Sequence, residues 1–251
     1  MKRIIYKLIL ALAVSLSFVS CGNNETYEVG DIIMDNQDVV KQGHFSEYNG
    51  KGKPVAVCFD VEDYGKDGKY YFGMAIEQSP EMLPYRVEGS DSHFYDSLDS
   101  QIWVINQDYD EKRGCYVNDG FYGKTDHADR LKAHKEFNKK MKKAQKYTQD
   151  FPAYGYAGTY LKKYGKYDEW WIPSVIRLYK MYENKDIVNK SLKEVGGDLL
   201  GHEVIWSASQ FYFNEAMQYA VDMGDGEVMP YLKSHPADVR PIVELAPRKC
   251  K

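Results

Sequence analysis

Between Pro54 and Gln78 the chain carries two β-rich stretches, Pro54 to Val61 and Lys69 to Gln78, separated by the polar, glycine-bearing segment Asp63 to Gly68. Two such stretches joined by turn residues predict a hairpin. Gln101 to Asn106 predicts a third strand. From Asp126 to Gln149 the period changes, because Leu131, His134, Phe137, Met141 and Ala144 recur three or four apart on one face of a helix. Asp126 stands in its N-cap region. Pro152 interrupts, and Ala153 to Tyr164 predicts a second, shorter helix closed by Gly165.

Ser174, after Pro173, is the predicted N-cap of a helix with Val175, Leu178, Tyr179 and Tyr182 on one face. Ile187 to Val195 predicts another, stopped by Gly196 and Gly197. Val204 to Ser209, Ala216 to Met223, Glu227 to Leu232 and Val239 to Leu245 predict four strands, the middle two joined through Gly224, Asp225 and Gly226. There is no repeat and no long strand–helix alternation of the kind a parallel doubly wound sheet needs. The expected class is α+β, with antiparallel sheets and with helices inserted between N-terminal and C-terminal strands.

The first 21 residues carry an address. Lys2, Arg3 and Lys7 precede the apolar run Leu8 to Val19, which has the layout of a secretory signal and is short for a bilayer span. Its end, Phe18-Val19-Ser20-Cys21-Gly22, resembles the bacterial lipobox. That resemblance implies removal of residues 1–20, acylation of Cys21, and attachment of the mature chain to the cell envelope, with the outer membrane as the expected site. Several acyl chains make such attachment durable. The bland alternative is a plain signal peptide with an incidental cysteine. Residues 21–26 read as a lipidated tether and 27–251 as the folded domain.

Charge and cysteine usage narrow the function. The 251 residues carry 33 Lys and Arg against 37 Asp and Glu, and the count without residues 1–20 is 30 against 37. An acidic chain offers no global field for a nucleic-acid backbone, so nucleic acid is not an expected partner. Cys58 lies in an apolar strand and reads as a reduced core thiol. Cys115 and Cys250 are left, with nothing in their spacing to demand a pair. No Cys/His spacing for zinc exists, His202-Glu203 lacks the second histidine of HExxH, and His127 and His134 lie two helical turns apart. No nucleophile elbow, Walker A or dinucleotide fingerprint occurs. No cofactor, metal or catalytic residue is expected. Asp222, Asp225 and Glu227 cluster at a hairpin where calcium is the sharp reading and turn formation the bland one.

Further landmarks recur in order: Gly123-Lys124-Thr125-Asp126, Tyr167 to Ser174, Gly196-Gly197, Ile205 to Ser209, Gly224 to Gly226, and Asp238-Val239-Arg240-Pro241-Ile242. Over roughly residues 54–245 this resembles the domain family typified by the C-terminal domain of the Legionella collagen-like protein. Trp206-Ser207-Ala208 stands where that family has a double serine. The resemblance implies a single domain with a fold similar to C-type lectins and formylglycine-generating domains. It also implies that Trp171 and Trp206 are core aromatics, that Pro173 leads into a helix, and that Arg240 is a buried charge needing a carboxylate or carbonyl partner. The formylglycine-generating relatives depend on paired C-terminal cysteines, and this chain has Cys250 alone there.

Two binding features stand out. Gln210, Phe211, Tyr212, Phe213 and Asn214 form an aromatic and amide loop between two predicted strands, suited to a ligand through rigid area and hydrogen bonds. A loop tucked against the core is the alternative. Lys132, Lys135, Lys139, Lys142, Lys143 and Lys146 make a basic stripe on the long predicted helix, which reads either as a solvated face or as a contact for anionic headgroups or acidic glycans. The expected function is a lipid-anchored envelope protein whose domain binds a glycan or protein partner without catalysis. The alternatives are a degenerate formylglycine-generating-like enzyme and a structural subunit of a surface assembly, the last expected to show an exposed edge strand.

Overall fold

A computed structural model describes residues 26–63, 69–87, 108–110, 115–117, 151–163, 167, 170–211, 214 and 216–245. Within it Tyr27–Ala246 form one compact unit. The expected strand at 101–106, the expected helix at 126–149 with its lysine stripe, and Cys21 and Cys250 lie outside the described residues.

A six-stranded antiparallel sheet organises the unit. In spatial order it runs β2 (Val39–Val40), β1 (Ile32–Met34), β3 (Pro54–Asp63), β4 (Lys69–Ala75), β13 (Ile242–Leu245) and β8 (Trp170–Trp171). β3 and β4 are the predicted hairpin strands, paired from Ala56 opposite Ala75 to Asp63 opposite Lys69, with a register slip between Cys58 and Asp60. The apolar run of β3 is continuous because both sheet faces are covered. Val57 and Phe59 enter the main core, while Ala56 and Cys58 enter a second cluster with Tyr160, Tyr167 and Trp170. Fully burying a side chain such as Phe59 is worth about 2–3 kcal/mol. β13 sits beside β4, so the N-terminal and C-terminal β regions share one sheet.

The main core lies between this sheet, three helices and a three-stranded sheet. The helices are α1 (Pro152–Lys163), α2 (Val175–Glu183) and α3 (Lys185–Val195), and the second sheet is β11 (Val228–Leu232), β10 (Met217–Asp222) and β9 (Val204–Gln210). Among the described residues there are also two short pairs, β5 (Leu83–Pro84) with β12 (Pro236–Ala237) and β6 (Asp108–Asp110) with β7 (Cys115–Val117). The helices stand in the chain between the N-terminal and C-terminal strands, interrupted by β8. The class is α+β with antiparallel pairing.

Helix ends follow the sequence signals. Ser174 caps α2, its Oγ accepting from the Arg177 amide. Gly196 takes a left-handed conformation at φ 68° and, with Gly197, closes α3. β13 starts at Ile242 rather than at the expected Val239. Pro241 has no amide hydrogen for a ladder, and Val239 is instead held at its N–H and carbonyl by Ser79.

Two arginines are buried, each by a different device. Arg177 on α2 is 4% exposed and donates to Asp60 and, through both terminal nitrogens, to Glu62 at 2.8 Å; its guanidinium lies 3.6 Å from the centre of the Phe72 ring. Burial raises the Asp60 carboxyl above the ordinary range, with the Arg177 charge opposing. Arg240 is 0% exposed and donates to the Ala75 carbonyl at 3.0 Å, the Asp198 carbonyl at 2.8 Å and Gln78 Oε1 at 3.3 Å. It ties the end of β4 and the residues just after it to the loop that follows α3, and burial pulls its pKa down. The expected buried charge is there, and its partners are carbonyl and amide oxygens.

Trp171 and Trp206 are core residues as implied, and Trp206 Nε1 donates to the Leu83 carbonyl at 2.7 Å. Cys58 is a free, fully buried cysteine whose thiol is pushed well above its ordinary value by burial.

Candidate functional site

The second sheet carries the predicted binding loop, and its local geometry begins with an irregular strand. In the β9–β10 pairing, Gln210 lies opposite Gln218 and Trp206 opposite Ala220. Three β9 residues, Ser207, Ala208 and Ser209, therefore face Tyr219 alone. This is a bulge, a feature that re-aims a strand and is over-represented beside functional sites.

The two serines stabilise it from inside. Ser207 Oγ donates to the Tyr219 carbonyl at 2.7 Å and accepts from the Ser209 amide at 3.1 Å. Ser209 Oγ accepts from the Val175 amide at 3.1 Å, so the bulge also satisfies a free donor in the first turn of α2. Ala208 N donates to the Pro173 carbonyl at 2.7 Å. Small hydroxyl side chains fit this site because a hydroxyl can both donate and accept, as Ser207 does here within a buried turn.

Beside the bulge, Gln218 is buried. Its Nε2 donates to the Ser207 carbonyl at 3.2 Å, while its Oε1 accepts no hydrogen bond among the described residues. A buried amide oxygen left in that state costs about 1–3 kcal/mol, so it is a ready acceptor for any donor that reaches it.

The predicted loop residues divide. Gln210 ends β9 in register with Gln218. Phe211 is half-buried, packs against the main core, and meets Tyr219 edge-on at 5.3 Å between ring centres, so it covers the core rather than offering its ring to a ligand. Asn214 is exposed; its Oδ1 accepts from the Ala216 amide at 2.9 Å, leaving Nδ2 as an outward donor. Tyr212 and Phe213 lie outside the described residues, as do Lys132, Lys135, Lys139, Lys142, Lys143 and Lys146. Sequence reasoning missed Gln218 and Ser209. The signal was present as polar residues, Ser207, Ser209 and Gln218, inside strands whose neighbours are otherwise apolar.

Other candidates resolve into structure. Asp222 Oδ1 accepts from the Gly224 amide at 2.6 Å and Asp225 Oδ1 from the Glu227 amide at 2.9 Å, so these carboxylates brace the β10–β11 turn, where Gly226 adopts φ 81°. His202 is exposed ahead of β9. Among the described residues no three His, Cys, Asp or Glu are grouped to share a metal ion, and no helix is long and apolar enough to cross a membrane.

Comparison with known proteins adds a likeness of fold. No protein-family match and no curated relative is found. Among solved structures, a fimbrial protein from Bacteroides ovatus superposes with a TM-score of 0.52 at 12% identity, over 87% of this chain. This chain spans about half of that one, 49% of its length. At that identity the likeness is one of fold.

Proposed function

We propose that this chain is a lipid-anchored protein of the bacterial cell envelope that works by contact rather than by catalysis, and that its β9–β10 loop contributes to the contact surface. The observation that carries this reading is the fold likeness to a fimbrial protein, whose description brings a surface role and no reaction. The lipobox-like end at Cys21 supports the same location from an independent part of the chain. The order of landmarks from Trp171 through Arg240 supports a C-type-lectin-like version of the α+β fold. For a contact surface, exposed Asn214 supplies a donor next to a core-packed Phe211, which suits a glycan hydroxyl or a peptide carbonyl.

The likeness also favours a second reading, a structural subunit of a surface assembly. Of the described sheet edges, β2 and β8 are two residues long and β9 is covered, which leaves β11 as the long edge such a subunit would have to use. A formylglycine-generating type of oxidation needs a reactive thiolate, and buried Cys58 is a poor source of one.

The test is photo-crosslinking on intact cells, with a benzophenone amino acid at position 214 and, as control, at exposed Glu81. A discrete adduct from position 214, absent from position 81 and lost with Cys21→Ser, is expected. Equal adducts at both positions, or none at 214, would contradict the reading.

A further inference from the structure

The three-stranded sheet has two outer strands with different edges. The outer side of β9 is occupied: Trp206 N donates to the Asp238 carbonyl at 3.0 Å, Asp238 N to the Val204 carbonyl at 2.9 Å, and Ala208 N to Pro173. The outer side of β11 has no strand partner among the described residues.

Which backbone groups face outward on β11 follows from its register. Lys233 N donates to the Ala216 carbonyl at 2.9 Å, and the Glu227 carbonyl accepts from Asp222 N at 3.0 Å. Residues of that parity, Glu227, Met229, Tyr231 and Lys233, turn their backbone groups to β10. Val228, Pro230 and Leu232 turn theirs away. The middle outward position is therefore a proline, exposed and without an N–H. The Leu232 carbonyl is already used by His235 N at 2.9 Å.

The segment needs such protection. Val228-Met229-Pro230-Tyr231-Leu232 is five apolar residues without a charge, and with a β-former in the middle it would present a flat apolar edge. That edge is self-complementary. A two-fold axis through residue 230 sets Val228 of one copy against Leu232 of the other, apolar against apolar, and the central pair would be residue 230 with itself. Antiparallel pairing at that point needs an N–H from each copy, and Pro230 denies both.

We propose that Pro230 is a guard on the β11 edge, and that the occupant it excludes is β11 of a second copy of this chain, paired antiparallel about residue 230. Surface assembly by this chain then does not run through a β11–β11 pair centred on residue 230.

The experiment is sedimentation velocity on the full chain in detergent, over a concentration series, combined with amide hydrogen exchange. Pro230→Thr restores the donor and should strengthen self-association by at least about tenfold, with new protection at the Val228 and Leu232 amides. Pro230→Lys restores the same donor but sets two like charges across the axis, and should associate as weakly as the wild type. In the wild type, the Val228 and Leu232 amides should exchange freely while those of Met229 and Tyr231 are protected. Unchanged association of a Pro230→Thr variant that keeps its Met229 and Tyr231 protection overturns the proposal. Association of Pro230→Lys as strong as that of Pro230→Thr overturns the two-fold arrangement. Protected Val228 and Leu232 amides in the wild-type monomer overturn it whether or not either variant folds, because the edge would already be covered.

Discussion

Arg177 and Arg240 pose the same physical problem and receive opposite solutions. Arg177 meets two carboxylates and an aromatic face, so its charge is neutralised locally and α2 is clamped to β3. Among the described residues Arg240 donates to no carboxylate; its terminal nitrogens donate to the Ala75 and Asp198 carbonyls and to the Gln78 amide oxygen, while its Nε finds no acceptor. An ion cluster contributes chiefly when whole and is costly when half-removed. A guanidinium among carbonyls acts as a multivalent donor, and the geometry of its fork matters more than its charge. One arginine joins a helix to a strand, and the other joins the end of a strand to the loop that follows α3.

The largest effect is expected at Arg240. Arg240→Met keeps the volume but leaves the buried Ala75 carbonyl, the half-buried Gln78 amide and the carbonyl of exposed Asp198 without their donor; a buried orphan costs about 1–3 kcal/mol and a wetter one less. A total loss of about 3–5 kcal/mol in urea unfolding follows, with little dependence on pH. Arg177→Met should cost about 3 kcal/mol at neutral pH, because it strands the buried Asp60 and the half-buried Glu62 carboxylates. That loss should fade in acid. Asp60 already titrates above its ordinary value of 3.8 through burial, and without Arg177 it would rise further. A carboxyl raised in the folded state loses stability as pH rises through the window above 3.8 and carries no penalty below it. Equal pH profiles for the two variants would erase the distinction between the sites.

Arg240→Lys sharpens the comparison further. A lysine keeps the charge but cannot reach three diverging acceptors, so a loss of about 2 kcal/mol is expected by chemical denaturation. Retention of full stability would show that charge alone suffices. The smallest effect is expected at Asp238, whose carboxyl is raised by burial first and by Glu203 second, against Arg240. If Asp238 served as the missing counter-ion, Asp238→Asn would destabilise. The present account expects the opposite sign: a slightly higher melting midpoint at neutral pH, and no difference below pH 3.8, where the native carboxyl is protonated in both states.

Much of this framework was legible in the chain. The β3–β4 pair announced itself by an apolar run, and α2 and α3 by their period and by the stops at Ser174 and Gly196. Arg240 was legible through the landmark order. Arg177 was not, since a charge three residues into an amphipathic helix reads as solvent-facing unless Asp60 and Glu62, inside an apolar strand, are seen as its partners. β1, β2, β8 and β12 are two or three residues long, too short for a period to register. The serine bulge was hidden for a related reason, because its polar side chains are satisfied by backbone groups that only the fold brings near. The sequence left Phe211 open between a contact surface and a core lid because an aromatic beside an amide looks alike in both, and its packing against Tyr219 is visible only in the fold.

The central claim is that the domain is held to the envelope through Cys21, and mass spectrometry of the protein extracted from envelopes tests it most directly. The account predicts an N-terminal peptide beginning at Cys21 and carrying acyl mass. A mature chain that retains residues before Cys21, or that begins there with an unmodified thiol, would contradict it.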